Sequence, residues 1–192
     1  MLPAPSPLVV VHGRHPLLLA AGETVIPFDL TLDSSERTLV VSGPNTGGKT
    51  VLLKSVGLLG ALAQSGIIPP VGAGSQLPVF TRFFADIGDH QSLAANLSTF
   101  SAHLAALRNI LSEADPATLV LLDEIGSGTD PTEGAALAAA ALLSLTRRGT
   151  TTLATTHLGA LKTLPERDPG IVNASLQFDA ETIRPTYRFE KG

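Results

Sequence analysis

A chain of 192 residues, 44% hydrophobic and 16% charged, is long enough for one sizeable α/β core and too apolar for a disordered tail. Its net charge of −4 and pI near 5.7 exclude the basic stripe of a surface that grips nucleic-acid phosphates. With no cysteine there is neither a disulfide framework nor a Cys zinc site, which fits a reducing cytosol.

The first seven residues are Pro-rich and read as a linker or a boundary; residues 8–192 read as one domain. The apolar start is interrupted by His12, Arg14 and His15 and lacks a basic leader, so it does not read as a signal peptide. No run approaches the ~18 apolar residues of a membrane span, and no membrane partner is expected. Residues 8–32 carry short β-like runs broken by Gly13, Pro16, Gly22 and Pro27, predicting a small β layer beside the core. Thr38–Ser42 reads as a buried parallel strand that enters a glycine-rich loop. Lys49–Gln64 is apolar on nearly every face and lacks proline, predicting a buried helix ended by Ser65-Gly66.

Residues 67–92 are loop-rich, with a predicted strand over Val79–Asp86. Ser98 is expected to cap a helix running to about Ser112. Leu119–Leu122 reads as a second buried strand, ending in Asp123-Glu124, and Glu133–Arg147 as an alanine-rich helix introduced by Pro131. Thr151–Thr155 predicts a third strand, ending at His157. Val172, Ala174, Leu176 and Phe178 alternate with polar residues, and Ile183–Phe189 is expected to pair back as a hairpin. The end, Tyr187–Gly192, reads as a strand stopping at a turn, so a piece of a longer protein is expected. Strands alternating with helices imply a mainly parallel sheet covered on both faces, whose ligands sit beyond the carboxyl ends of the strands. Three chemically interesting segments fall at such ends.

The first is Gly43-Pro44-Asn45-Thr46-Gly47-Gly48-Lys49-Thr50, the pattern G-x-x-x-x-G-K-[ST]. Its glycines let backbone N–H groups surround phosphate oxygens, and the following helix points its positive end at the same anion. Lys49 is expected to reach the β and γ phosphates of ATP, and Thr50 to offer its hydroxyl to Mg²⁺. Val51 completes the expected nucleotide-binding set. The second segment is Asp123-Glu124. Successive strand residues point opposite ways, so one carboxylate can serve Mg²⁺ through water and the other the attacking water. Asp123 is expected in the first role and Glu124, as base or water-orienting group, in the second. Gly126–Pro131 then makes a loop, either a plain strand-to-helix turn or a contact between two such domains. The third is His157, placed to meet a γ-phosphate or its attacking water, or merely structural.

In order, Gly43–Thr50, Ser98-Thr99-Phe100, Asp123–Thr129 and Ala154-Thr155-Thr156-His157 resemble the MutS family of ABC-type ATPases, and Gly13–Pro16 is similar to that family's Arg-His-Pro element. Asp130–Gly134 and Asp86-Ile87-Gly88-Asp89 look like its type-two branch. His90 departs from the acidic residue of that branch, beside Gln91, the coupling-loop position. The resemblance implies a P-loop ABC-type fold and a composite site in which two domains face each other around two nucleotides. It implies that Ser98 and Thr99 reach the other copy's γ-phosphate and that Asn45 touches the phosphates or that opposing element. It places Val25 and Ile26 where relatives contact adenine, although an apolar pair there reads equally as core. It also implies a cytoplasmic parent acting on branched DNA, in restraint of recombination, or on stalled ribosomes, through parts outside this chain.

Two readings of different class follow. One is an enzyme turning ATP and water into ADP and phosphate. The other is a binding module in which ATP joins two copies with little turnover. A small-molecule kinase would need an acceptor lid, and no arginine-rich lid is found; a transporter domain would show Leu-Ser-Gly-Gly-Gln, which is absent; a segment as short as Lys49–Asp123 has no room for the coiled-coil insertion of an SMC head.

Overall fold

The apolar strands divide their side chains, residue by residue, between two cores. Leu39 and Val41, Leu119 and Leu121, and Leu153 belong to one cluster; Val40, Val120, Leu122 and Ala154 belong to the other. Strands buried on both faces cannot alternate apolar with polar, which is why these segments read as continuous aliphatic runs. The computed structural model describes residues 6–43, 48–88, 96–179 and 184–192.

The chain opens with β1 (Leu8–Gly13), α1 (Pro16–Ala20) and β2 (Phe28–Leu32), the two strands forming a separate antiparallel pair. This is the expected small layer, and its Leu8, Val10, Phe28, Leu30 and Leu32 join the first core. The short helix between them was not anticipated. Its cap is His15, whose Nδ1 accepts the Leu18 N–H at 3.3 Å, and imidazole is not among the usual capping side chains.

β3 (Thr38–Ser42) leads through the glycine loop into α2 (Lys49–Gln64), both with the expected bounds. After β4 (Arg82–Asp86) come α3 (Asn96–Glu113), β5 (Thr118–Leu122), α4 (Pro131–Arg147) and β6 (Thr151–Thr156). A 3-10 turn over Gly159–Thr163 and α5 (Leu164–Arg167) precede β7 (Ile171–Asp179) and β8 (Arg184–Lys191). These last strands pair antiparallel, as the hairpin reading requires. The six-stranded sheet has the order β4-β5-β6-β3-β7-β8, with every pair but the last parallel. On one side lie α2 and the β1–β2 layer; on the other, α3, α4 and α5. The mixed α/β architecture, mostly parallel with helices on both faces, is the one expected.

Three boundaries differ from the sequence reading. β4 begins at Arg82 rather than Val79, whose side chain is 78% exposed. α3 is already helical at Asn96, so Ser98 sits inside its first turn and is not its cap. β5 ends at Leu122, leaving Asp123 and Glu124 beyond the strand. Among the described residues, no helix is long and apolar enough to cross a membrane.

Candidate functional site

Because β3, β4, β5 and β6 run parallel, their carboxyl ends share one edge of the sheet. Ser42, Asp86, Leu122 and Thr156 end them there, and the candidate residues follow directly. Gly48 takes the left-handed conformation, φ 90°, at the cap of α2, where it offers no side chain to the helix's first N–H groups. Those groups and the helix dipole face whatever anion occupies the loop. Lys49 is only 2% exposed, and its ammonium donates to the Gly43 carbonyl. Burial lowers its pKa, and the nearby carboxylates of Glu124 and Asp123 oppose that shift. Pro44, Asn45, Thr46 and Gly47 lie outside the described residues. Val51, in the first turn of α2, is 41% exposed.

Asp123 gathers three elements. The Thr50 hydroxyl donates to its Oδ2 at 2.6 Å, tying it to α2. The Thr155 hydroxyl donates to its Oδ1, tying it to β6. Its own N–H donates to the Asp86 carbonyl of β4 at 2.9 Å. The Thr50 hydroxyl and the Asp123 carboxylate are hard oxygen donors, held within hydrogen-bonding distance of each other. Mg²⁺ accepts one or two such ligands and completes its octahedron with water and phosphate. Among the described residues, no cluster of three or more His, Asp or Glu could hold a metal alone. The pair therefore fits an ion that arrives with phosphate, and not a free-standing metal centre.

Glu124 is placed by a turn. Its φ is +50°, unusual for a residue that is neither glycine nor asparagine and costing about 1–3 kcal/mol. Thr155 holds it there: the Glu124 N–H donates to the Thr155 hydroxyl at 2.8 Å, and the Ile125 N–H to the Thr155 carbonyl at 2.9 Å. Strand alternation therefore does not separate the two carboxylates, as the sequence reading had it, because the strand has ended and a left-handed turn takes over. Glu124 lines a small cavity of about 30 Å³ with Asp86, His103 and Asp123.

The loop after the acidic pair is packed, not open. A Cβ on Gly126, whose φ is +84°, would meet the Gly134 carbonyl at 2.7 Å, so loop and helix α4 touch backbone to backbone. Asp130 caps α4 by accepting the N–H groups of Thr132 and Glu133. His157 is exposed at the end of β6. Ser98 and Thr99 are in the first turn of α3, and their side chains lie outside the described residues, as do His90 and Gln91 altogether. Val25 is half-buried and Ile26 is 41% exposed, so the plain-core alternative for this pair is overturned.

The structure thus brings Lys49, Thr50, Asp123 and Glu124 together. It adds Thr155, which the sequence reading passed over within Ala154-Thr155-Thr156-His157. The only signal was a hydroxyl where a fully buried strand favours an aliphatic side chain.

Compared with known families, residues 39–192 match the model of MutS domain V. Among curated proteins, the chain is similar to the Endonuclease MutS2 of Gemmatimonas aurantiaca, 63% identical over 183 residues, covering 95% of this chain and 22% of that protein. The Endonuclease MutS2 of Halalkalibacterium halodurans is 51% identical over 181 residues, 94% of this chain and 23% of its own length. That of Lachnospira eligens is 53% identical over 179 residues, 93% of this chain and 22% of its own. The chain spans less than a quarter of the length of these relatives.

Proposed function

The chain belongs to the MutS domain V family, and from that premise we propose that residues 8–192 form one P-loop ATPase domain of the ABC type, which binds ATP with Mg²⁺ and hydrolyses it to ADP and phosphate. The observation that carries this reading is the Thr50–Asp123 hydrogen bond at 2.6 Å, next to the buried ammonium of Lys49. A glycine-capped helix N-terminus, a cation and a pair of hard oxygen ligands meet at one sheet edge, and MgATP presents the complementary charges.

Each residue then has a part in the reaction. Gly43–Gly48 surround the phosphates with backbone N–H groups, and Val51 completes the lining of the loop. Lys49 neutralises charge on the β and γ phosphates; a buried ammonium is worth more there than in water. Thr50 and Asp123 hold Mg²⁺, which when bound neutralises the phosphate oxygens. Glu124, held by Thr155, orients a water for attack on the γ-phosphorus and draws its proton; the bond to the β–γ bridging oxygen breaks and ADP leaves. His157, exposed at the same edge, donates to the transferring group. Val25 and Ile26 offer an apolar seat for the adenine.

Two copies facing each other around two nucleotides complete this arrangement, with the first turn of α3, carrying Ser98 and Thr99, aimed at the partner's γ-phosphate. In a longer, cytoplasmic parent protein, contact with branched DNA or a stalled ribosome falls to other parts, because this segment carries a net charge of −4.

The test is steady-state ATP hydrolysis at several protein concentrations, with Glu124→Gln as control. The expected result is a specific activity that rises with concentration and falls about 10²–10⁴-fold in the variant while ATP still binds. Binding and dimerisation without turnover at any concentration would overturn the enzyme reading in favour of an ATP-dependent joining switch. Failure to bind ATP would overturn both.

A further inference from the structure

The strand end that the proposed chemistry leaves unused is that of β4. Asp86 closes this edge strand, and its carboxylate Oδ2 lies 2.6 Å from Nδ1 of His103 on α3. Both side chains are mostly withdrawn from solvent, 24% and 18% exposed. Facing a carboxylate acceptor, the imidazole carries its proton on Nδ1. The Asp86 backbone carbonyl meanwhile accepts the Asp123 N–H. One residue therefore grips the acidic pair with its main chain and α3 with its side chain.

The cavity of about 30 Å³ beside them gives this linkage a place to act. Asp86 and His103 line it together with Asp123 and Glu124, and Leu104 and Leu107 close the wall from α3. Its volume exceeds the ~10–15 Å³ that one water needs, and its polar lining supplies partners for one. α3 packs on β4 and α4, and β4 has no strand beyond it in the sheet. The polar tie is what sets the lateral position of the helix, since apolar packing alone is non-directional. Ser98 is five residues upstream of His103, about 7–8 Å along the helix axis, so a shift at the tie is carried rigidly to that first turn.

We propose that Asp86 and His103 are a positioning pair for the hydrolytic site: their hydrogen bond fixes α3, and the cavity wall it shares with Glu124, in the arrangement in which Glu124 acts on water. This rests on the ATPase reading above. Neither residue touches the nucleotide; both act through Glu124 and α3.

The test compares wild type, Asp86→Ala, His103→Ala, the double variant and His103→Asn, whose amide N–H stands near the place of Nδ1. Turnover, ATP affinity by a fluorescent nucleotide and thermal melting are read on each. The expected result is a kcat lower by about 10–100-fold in both alanine variants with ATP affinity unchanged, since a misplacement of about 1 Å has effects of that size. The double variant should be no slower than the slower single one, and His103→Asn should recover most of kcat at the melting temperature of His103→Ala. Alanine variants that melt lower but keep kcat, or an asparagine variant no faster than alanine, would reduce the pair to a structural tie and overturn the inference. Wild type without turnover defeats the ATPase reading itself; wild-type turnover that His103→Ala leaves undiminished overturns this inference alone.

Discussion

Gly126 and Gly134 meet backbone to backbone: a methyl built on Gly134 would stand 2.1 Å from the Gly126 carbonyl oxygen. Ordinarily Gly→Ala within a helix stabilises by about 1 kcal/mol. Here the sign should reverse. Gly134→Ala must push the loop that follows Glu124 away from α4, at a cost of about 1–3 kcal/mol. The expected outcome is a lower melting temperature together with lower ATP turnover; an alanine variant that melts higher would show that the loop gives way freely.

Thr155 has the same kind of leverage through a hydroxyl. Buried at 0% exposure, it donates to Asp123 and accepts from the Glu124 N–H. Thr155→Val keeps the shape and removes both bonds, leaving a buried N–H without that acceptor, which costs about 1–3 kcal/mol. Urea unfolding should register that loss and Thr155→Ser should restore it. Turnover should fall further than the stability loss alone implies, because the left-handed turn at Glu124 loses its support. Equal stability in the valine and serine variants would rule this out.

Lys49 should show function opposing stability. Its charge sits in a site 2% exposed, and burial lowers its pKa despite the carboxylates nearby. Lys49→Met should therefore melt higher than wild type without nucleotide, by about 0.5–2 kcal/mol. ATP affinity should fall at least tenfold, about 1.4 kcal/mol. Calorimetry with and without MgATP reads both, and a methionine variant that binds ATP normally would remove Lys49 from the site.

His15 predicts an acid-sensitive edge to stability. Burial, followed by the charge of Lys54, holds its pKa below the ordinary histidine value. The native state then binds fewer protons than the unfolded chain, so stability rises with pH through this group. Its contribution is complete above the unfolded value of about 6.5 and is lost as pH falls from there through the lower native value. Protonation also removes the Nδ1 lone pair that accepts the Leu18 N–H. His15→Asn retains a capping acceptor without titrating and should flatten this part of the profile. Unfolding measured from about pH 8 to pH 5 decides it, and parallel profiles for the two proteins would refute the assignment.

The sequence by itself determined whatever is written in neighbouring residues. The aliphatic runs 39–41, 119–122 and 153–154 announce strands buried on both faces, and Lys49–Gln64 announces its helix, because side-chain periodicity is a local property. Lys49, Thr50, Asp123 and Glu124 could be placed at one edge because parallel strands share their carboxyl ends. Only the tertiary structure decided how that edge is held. The order β5-β6-β3 sets Thr155 between Asp123 and Glu124 and gives the turn at Glu124 its acceptor. The contact of Gly126 with Gly134 and the Asp86–His103 bond equally join separate elements. Each of these relationships depends on a hydrogen bond or a close approach between different elements, and such geometry exists only after the sheet has assembled.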